Sequence, residues 1–413
     1  MQFQAPKGMS DVLPPESRRW HLAIRRAEDI FQRYGYEEII LPVLEQTEVF
    51  QKGIGATSDI VQKEMFTFQD KGDVSLTLRP EGTAGVARAF VQSMTKYPMP
   101  LKLYYQGPMF RRERPQKGRF RQFWQLGVEL IGSPEPLADA EVMVLAWDLA
   151  LALGVSGLNL LVNSVGDEKC RPAYSEMLSG YLDKMEDRLC QDCRRRKQTN
   201  PLRVFDCKEQ GCAEVVRQAP RITDHLCDEC KAHLEKTLEL LREARIDFEL
   251  DKSMVRGLDY YTRTVFEMRS PELGAQNTVA AGGRYDDLIE SYGGPATPAT
   301  GFSLGLERLL MLVSKTEEKT TGGVFFVAEE PEARSHAFAL TLGCRRSGFR
   351  CDLDSFSRSI KAQMKAANRS DYPWVVLIGK DELDGHFLTL KEMGTGEQTK
   401  IGWNDLISYL ERK

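Results

Sequence analysis

The chain has 413 residues, of which 42% are apolar and 28% charged, and its formal net charge is −4. That suffices for a sizeable core divided among two or three domains, and it excludes nucleic-acid binding through bulk charge, so any RNA contact must use local patches. Without a long apolar run or an apolar N-terminal leader, and with an odd nine cysteines, the sequence predicts a cytoplasmic protein that has no membrane span and no disulfide framework.

A first helix is predicted from about Pro15, where Trp20, Ile24, Ala27 and Phe31 make one apolar stripe. "YGYEEIILPVLEQ" reads as a turn and a strand, and strands and turns alternate to about residue 132. Within that region "TLRPEGTAG" sets Glu81 and Thr83 two apart, with Arg79 near. Together they suit an ammonium group, and Thr83 equally suits a helix N-cap.

"FRRERPQKGRFRQFWQ", residues 110–125, packs five arginines and one lysine around a single carboxylate, Glu113. "RPQKG" has turn composition, so the segment predicts a hairpin. Alternation on its second strand sets Arg119, Arg121, Phe123, Gln125, Gly127 and Glu129 on one face. The mostly apolar set Phe120, Gln122, Trp124, Leu126, Val128 and Leu130 takes the other. A polar face on a strand whose reverse is buried suits a ligand floor, and guanidinium forks suit phosphate. The alternative is a solvated hairpin.

Residues 136–155 predict an apolar helix, and 170–245 a cysteine-rich helical module inserted into β-rich sequence. Cys190-x2-Cys193 and Cys227-x2-Cys230 have the spacing to share one tetrahedral Zn²⁺, with Cys207 and Cys212 between the pairs. The alternative is a set of buried small hydrophobes. Beyond the module, "MVRGLDYYTRTVFEM" carries Arg256, Tyr260 and Tyr261 beside a glycine, and "VAAGGRYDDLI" carries Arg284 and Tyr285. "GFSLGLERLLML" reads as a Gly-rich entry to a helix with Arg308 in its first turn, where the helix dipole disfavours a cation unless an anion compensates.

"SKTEEKTTGG", 314–323, is a predicted linker. "GVFFVA", "GFRCDLD", "WVVLIG" and "HFLTLKEM" are then strands of a βαβ-type small domain. On the predicted helix 355–369, Phe356, Ile360, Met364 and Ala367 make an apolar stripe, while Arg358, Lys361, Lys365 and Arg369 make a basic one.

Taken together, these segments resemble the class II aminoacyl-tRNA synthetases and, among them, the histidyl-tRNA synthetase family. "YGYEEIILPVLE", with Pro42, is similar to motif 1, "FRRERPQKGRFRQFWQLGVELIG" to motif 2 and "GLERL" to motif 3. "VRGLDYYTRTVFE" and "AAGGRYD" resemble the two histidine-type peptides. The resemblance implies an α+β fold: an antiparallel sheet flanked by helices (1–169 and 246–315), the inserted module (170–245) and an α/β anticodon-binding domain (324–413). It implies a homodimer that activates L-histidine with ATP and Mg²⁺ and transfers it to tRNA(His). Glu81, Thr83 and Gln125 would hold the ammonium. Glu129 and Tyr261 would hold the imidazole, with Tyr260 and Tyr285 lining that pocket. Arg111 and Arg256 would act at the α-phosphate, Arg119 and Arg308 on the outer phosphates, Phe123 on adenine, and Glu113 on adenine or Mg²⁺. Arg114 and Gln116 would meet the tRNA acceptor end, and the basic stripe from Arg358 to Arg369 its anticodon arm. Retention of the arginines and of the terminal domain argues against a catalytically silent regulatory relative.

Overall fold

The structure, a computed structural model, describes residues 3–55, 58–207, 209–255, 257–313 and 322–412. Arg256 and most of the predicted linker therefore lie outside the described residues. The chain divides into two compact units, Met1–Ser314 and Lys315–Lys413. No helix among the described residues is long and apolar enough to cross a membrane.

The first unit is built on an eight-stranded sheet. Its strands are β1 (Glu37–Glu38), β2 (Leu101–Phe110), β3 (Gln122–Ile131), β4 (Asn159–Ser164), β5 (Phe248–Leu250), β6 (Thr262–Arg269), β7 (Thr278–Arg284) and β8 (Ala299–Gly305). They lie in the order β1-β2-β3-β8-β7-β6-β4-β5. The six inner strands pair antiparallel, and only the two short edge strands pair parallel. One face is covered by α1 (Glu16–Arg33), α3 (Pro136–Ala152) and α7 (Asp228–Glu243), which bury Ala27, Phe31, Val142, Leu145 and Leu241 against Leu126, Val128, Leu130, Phe266 and Phe302. The opposite face carries α2 (Thr83–Ala89) and a second apolar cluster that includes Val86, Phe90, Met109 and Tyr285.

The predicted strand around Pro42 is reduced to β1 and a separate Leu44–Gln46 strand, which joins Phe66–Gln69 and Ser75–Leu78 in a small sheet. Proline has no amide hydrogen to give a ladder, so pairing stops on either side of it. Ile40 is left 86% exposed, beside exposed Val43 and Leu44. The Gly-rich entry to the helix α8 (Leu306–Leu312) is also different from expectation. It is β8, a central strand that pairs with both β3 and β7.

The predicted module contains α4 (Arg171–Lys184), α5 (Gln191–Thr199), α6 (Gln210–Gln218) and α7, and has its own core of Tyr174, Leu178, Leu182, Val204 and Val215. The second unit is a five-stranded sheet of β9 (Val324–Ala328), β10 (Cys351–Leu353), β11 (Trp374–Ile378), β12 (Phe387–Glu392) and β13 (Gln398–Gly402), in the order β10-β9-β11-β12-β13. Helix α9 (Pro331–Arg346) packs on this sheet through Ala333, Ala337 and Cys344, and the predicted basic helix is α10 (Ile360–Arg369). It starts later than expected, so Arg358 and Phe356 precede it, and Arg358 is paired with the buried Asp354.

One buried polar knot ties the first unit together. Arg284, with no exposed surface, pairs with Asp139 at 2.8 Å and Asp286 at 3.0 Å and also donates to the Ser133 and Glu135 carbonyls. His233 of α7 meets Asp139 at 2.7 Å. Breaking a buried ion pair strands the remaining charge, at a cost of about 3–5 kcal/mol. Arg284→Met is therefore expected to lower stability by about that amount, read as a shifted urea midpoint for the first unit. An unchanged midpoint would show that the knot contributes nothing net.

Candidate active site

A cleft opens on the face of the sheet opposite α1 and α3. Its lining includes Glu81, Thr83, Arg111, Glu113, Arg119, Phe123, Gln125, Glu129, Tyr260, Tyr261, Tyr285 and Arg308, so twelve residues singled out from the sequence are gathered there. The cleft encloses about 1190 Å³ with its open mouth included.

Period-two alternation delivers this arrangement only where the strand exists. From Gln122 to Ile131 it holds: Phe123, Gln125 and Glu129 face the cleft, and Leu126, Val128 and Leu130 face the helices. Before Gln122 the chain is not a strand. Phe120 therefore lines the cleft, against the predicted alternation, while Arg121 donates to the Glu113 carbonyl instead. Arg114 and Gln116 are exposed near the hairpin tip, where Gln116 and Arg119 exchange backbone hydrogen bonds.

At one end of the cleft the arginines converge. Arg308 donates to the carbonyls of Gly118 (2.7 Å) and Thr278 (3.0 Å). Arg111 donates to the Pro80 carbonyl at 2.9 Å and lies 5.3 Å from the Phe123 ring centre. Arg119 is paired with Glu113. Burial first, and then repulsion from Arg119 and Arg111, depress the pKa of Arg308; that of Arg119 is depressed by burial and by Arg111. These cations raise each other's energy, and an anion placed among them relieves it.

At the other end lies a buried carboxylate pocket. Thr83 Oγ1 donates to Glu129 at 2.6 Å and Tyr285 Oη donates to it at 2.5 Å. Tyr260 packs against both Tyr261 and Tyr285, with ring centres 4.8 and 5.6 Å away. Glu81 caps α2, accepting from the backbone amides of Thr83 (2.7 Å) and Ala84 (2.8 Å), so Glu81 takes the capping part and the Thr83 hydroxyl is turned to Glu129. Gln125 donates to Ser303 at 2.8 Å, while its buried Oε1 has no partner among the described residues. That bare acceptor suits a substrate donor.

Several contributing residues lie in segments marked by the sequence but are given no individual role there. Ser303 orients Gln125. Glu307 accepts from the Trp124 amide at 2.8 Å and so anchors the start of β3. Gly301 lies directly beneath Glu129, where any side chain would run into the carboxylate and the Val128 carbonyl. Gly82 and Gly127 similarly leave room for the Tyr105 ring.

The two CxxC pairs do not share a site, which corrects the predicted Cys190, Cys193, Cys227 and Cys230 set. Cys190 and Cys193 gather with Cys207 and Cys212, while Cys227 and Cys230 gather with Asp167 and Cys170. The pairs open different helices, α5 and α7, and each is completed by the segment packed against its own helix entrance.

An antiparallel sheet with arginines converging over one end of its open face and a carboxylate–tyrosine pocket at the other defines a class II aminoacyl-tRNA synthetase. A family model described as histidyl-tRNA synthetase matches residues 8–309, and one described as anticodon binding domain matches residues 324–413. The histidine–tRNA ligase of Halothermothrix orenii is 46% identical over the full length of both chains, and that of Clostridioides difficile is 44% identical with the same full coverage. The solved structure of apo histidyl-tRNA synthetase from S. aureus superposes with a TM-score of 0.85 at 36% identity, covering 99% of this chain and 100% of that one. This chain belongs to the histidyl-tRNA synthetase family.

Burial, aided by nearby Glu81 and opposed by the Thr83 and Tyr285 hydroxyls, lifts the Glu129 carboxyl from 4.5 to about 8. The folded state thus prefers it protonated. The stability this lends is complete below about pH 4.5 and is lost as pH rises through 8. Urea midpoints measured from pH 5 to 9 are expected to fall more steeply for the native chain than for Glu129→Gln; parallel curves would remove the burial effect.

Proposed function

We propose that this histidine–tRNA ligase builds histidyl-adenylate in the cleft with the histidine side chain at the Glu129–Tyr285 end and the triphosphate at the arginine end. The observation that carries the reading is the presence of both ends in one continuous cleft. The histidine carboxylate attacks the α-phosphorus in line, the bond to the β-phosphate oxygen breaks, and pyrophosphate leaves. No covalent enzyme intermediate is required, so positioning and electrostatics supply the acceleration.

Glu81, Thr83 and the bare Gln125 oxygen suit the substrate ammonium. Glu129 and Tyr261 suit the two imidazole nitrogens, with Tyr260 and Tyr285 as walls. An apolar analogue would leave these buried polar groups unpaired, which supports discrimination of about 10⁴ or more without editing. Arg111, braced by the Pro80 carbonyl, suits the α-phosphate and the charge that develops there. Arg119 and Arg308 suit the outer phosphates, and Phe123 with Arg308 brackets adenine.

Mg²⁺ binds through one or two carboxylates plus substrate phosphates, and the Glu113 carboxylate on the cleft wall fits that donor chemistry. Bound there, the ion would neutralise phosphate charge, and Glu113 would orient it. We place the protein in the cytoplasm, where its nine free thiols remain reduced, and assign the cysteine-rich module as the seat of zinc. Exposed Ile40, Val43 and Leu44 around Pro42 support a homodimer formed through motif 1.

Arg114 and Gln116 at the hairpin tip suit the acceptor end of tRNA(His). On α10, Lys361, Lys365 and Arg369 are exposed and suit phosphates of the anticodon arm; Arg358, held by Asp354, is secondary.

ATP–pyrophosphate exchange across the twenty amino acids is expected to respond to histidine. Arg111→Ala should lower the rate by about 10²–10³ with an unchanged circular dichroism spectrum; near-normal exchange would refute its role. The double variant Lys361→Ala/Lys365→Ala should weaken tRNA binding and reduce the slope of log K against log salt by about 2. An unchanged slope would move the anticodon contact elsewhere.

A further inference from the structure

We propose that the inserted module holds two separate metal ions of the zinc class, one ligated by Cys190, Cys193, Cys207 and Cys212 and the other by Asp167, Cys170, Cys227 and Cys230. Within each quartet one ligand atom per residue lies within 4.8 Å of all the others. A tetrahedral zinc–thiolate centre, with bonds of about 2.3 Å, has sulfur–sulfur edges of roughly 3.8 Å. Cys190 Sγ and Cys207 Sγ are 3.8 Å apart.

The two sites are built alike. Cys190 and Cys227 are the N-cap residues of α5 and α7, with φ/ψ of −67°/164° and −67°/163°, and the second cysteine of each pair sits in the first helical turn. Backbone amides point at sulfur in both: Cys190 N to Cys212 Sγ (3.2 Å), Cys193 N to Cys190 Sγ (3.4 Å) and Cys227 N to Cys170 Sγ (3.1 Å). Such N–H groups orient and stabilise thiolates. In the second site Arg263 reaches the Asp167 Oδ2 oxygen at 3.4 Å, leaving Oδ1 turned towards Cys170 and Cys227. Burial of small apolar side chains gives no reason for four ligand atoms to converge twice on one backbone design. Cys344 and Cys351, buried in the second unit, belong to no such quartet among the described residues.

Both sites hold segments that grip the 257–261 loop. Arg171, next to Cys170, donates to the Tyr261 carbonyl and, at 3.0 Å, to that of Val165. Asn200 and Arg203, between Cys193 and Cys207, meet Asp259 at 3.0 and 3.1 Å, and Arg203 also donates to the Gly257 carbonyl. The loop supplies Leu258, Tyr260 and Tyr261 to the cleft. Metal loss should therefore raise the KM for histidine more than that for ATP, a consequence that rests on the proposed placement of histidine.

Elemental analysis of the full-length protein, purified without chelators, should find two zinc ions per chain, and mercurial titration with a chromogenic chelator should release the same number. Cys190→Ser/Cys193→Ser and Asp167→Ala/Cys227→Ser should each retain one. Zero or one ion in the native chain overturns the proposal, as does loss of all metal in either double variant. Should a variant fail to fold, the cobalt-substituted native chain gives the same answer: thiolate-to-cobalt absorption saturates at two equivalents if both sites exist and at one if they do not. Two ions whose removal leaves the histidine KM unchanged would retain the sites and refute the coupling to the loop.

Discussion

Mutual repulsion among Arg111, Arg119 and Arg308 is the constraint on which the site depends. Three partly buried guanidinium groups are held near one another by carbonyls and by two carboxylates on Arg119, Glu113 and, at 3.9 Å, Glu64. Carbonyl oxygens orient a cation but only partly offset its loss of hydration. The fold therefore carries an electrostatic deficit at one end of the cleft, and a polyanion removes it on arrival. Arg111 directly follows β2, Arg308 lies in the first turn of α8, and Arg119 sits in the hairpin just before β3, so three separate elements bring the cations together.

The two faces of the sheet divide the work. The helix-covered face, with α1, α3 and α7 packed on it, provides the apolar burial that holds the strands in register. That lets the other face carry Gln125, Glu129 and Ser303, which would not support a core. Arg284, Asp139 and His233 link sheet and helices by fixed polar contacts at the rim, so the frame resists sliding as well as separation.

What could be read from the sequence follows from the range of the interactions. The two faces of β3 were legible because a strand repeats every two residues, and the polar–apolar alternation from Phe123 to Leu130 is clean. The same rule misplaced Phe120 and Arg121, because the hairpin is irregular before Gln122. The strand β13 was missed because "QTKIG" is polar and mostly exposed at a sheet edge. The helix α10 was read too long because Asp354 captures Arg358 before the helix begins. Arg284 and Asp139 are 145 residues apart and only meet in the fold. The two CxxC pairs were visible, but their partners were not: Asp167 is one carboxylate among sixty acidic residues, and nothing local marks it.

The bare backbone at Gly301 limits what the enzyme can become. Since the ground under Glu129 has no space for even a methyl group, redesign for a bulkier or differently shaped amino acid cannot begin from below. New specificity would have to be carved from the opposite wall, where Leu258, Tyr260 and Tyr261 come from a single loop, and the floor would pass unchanged from one variant to the next.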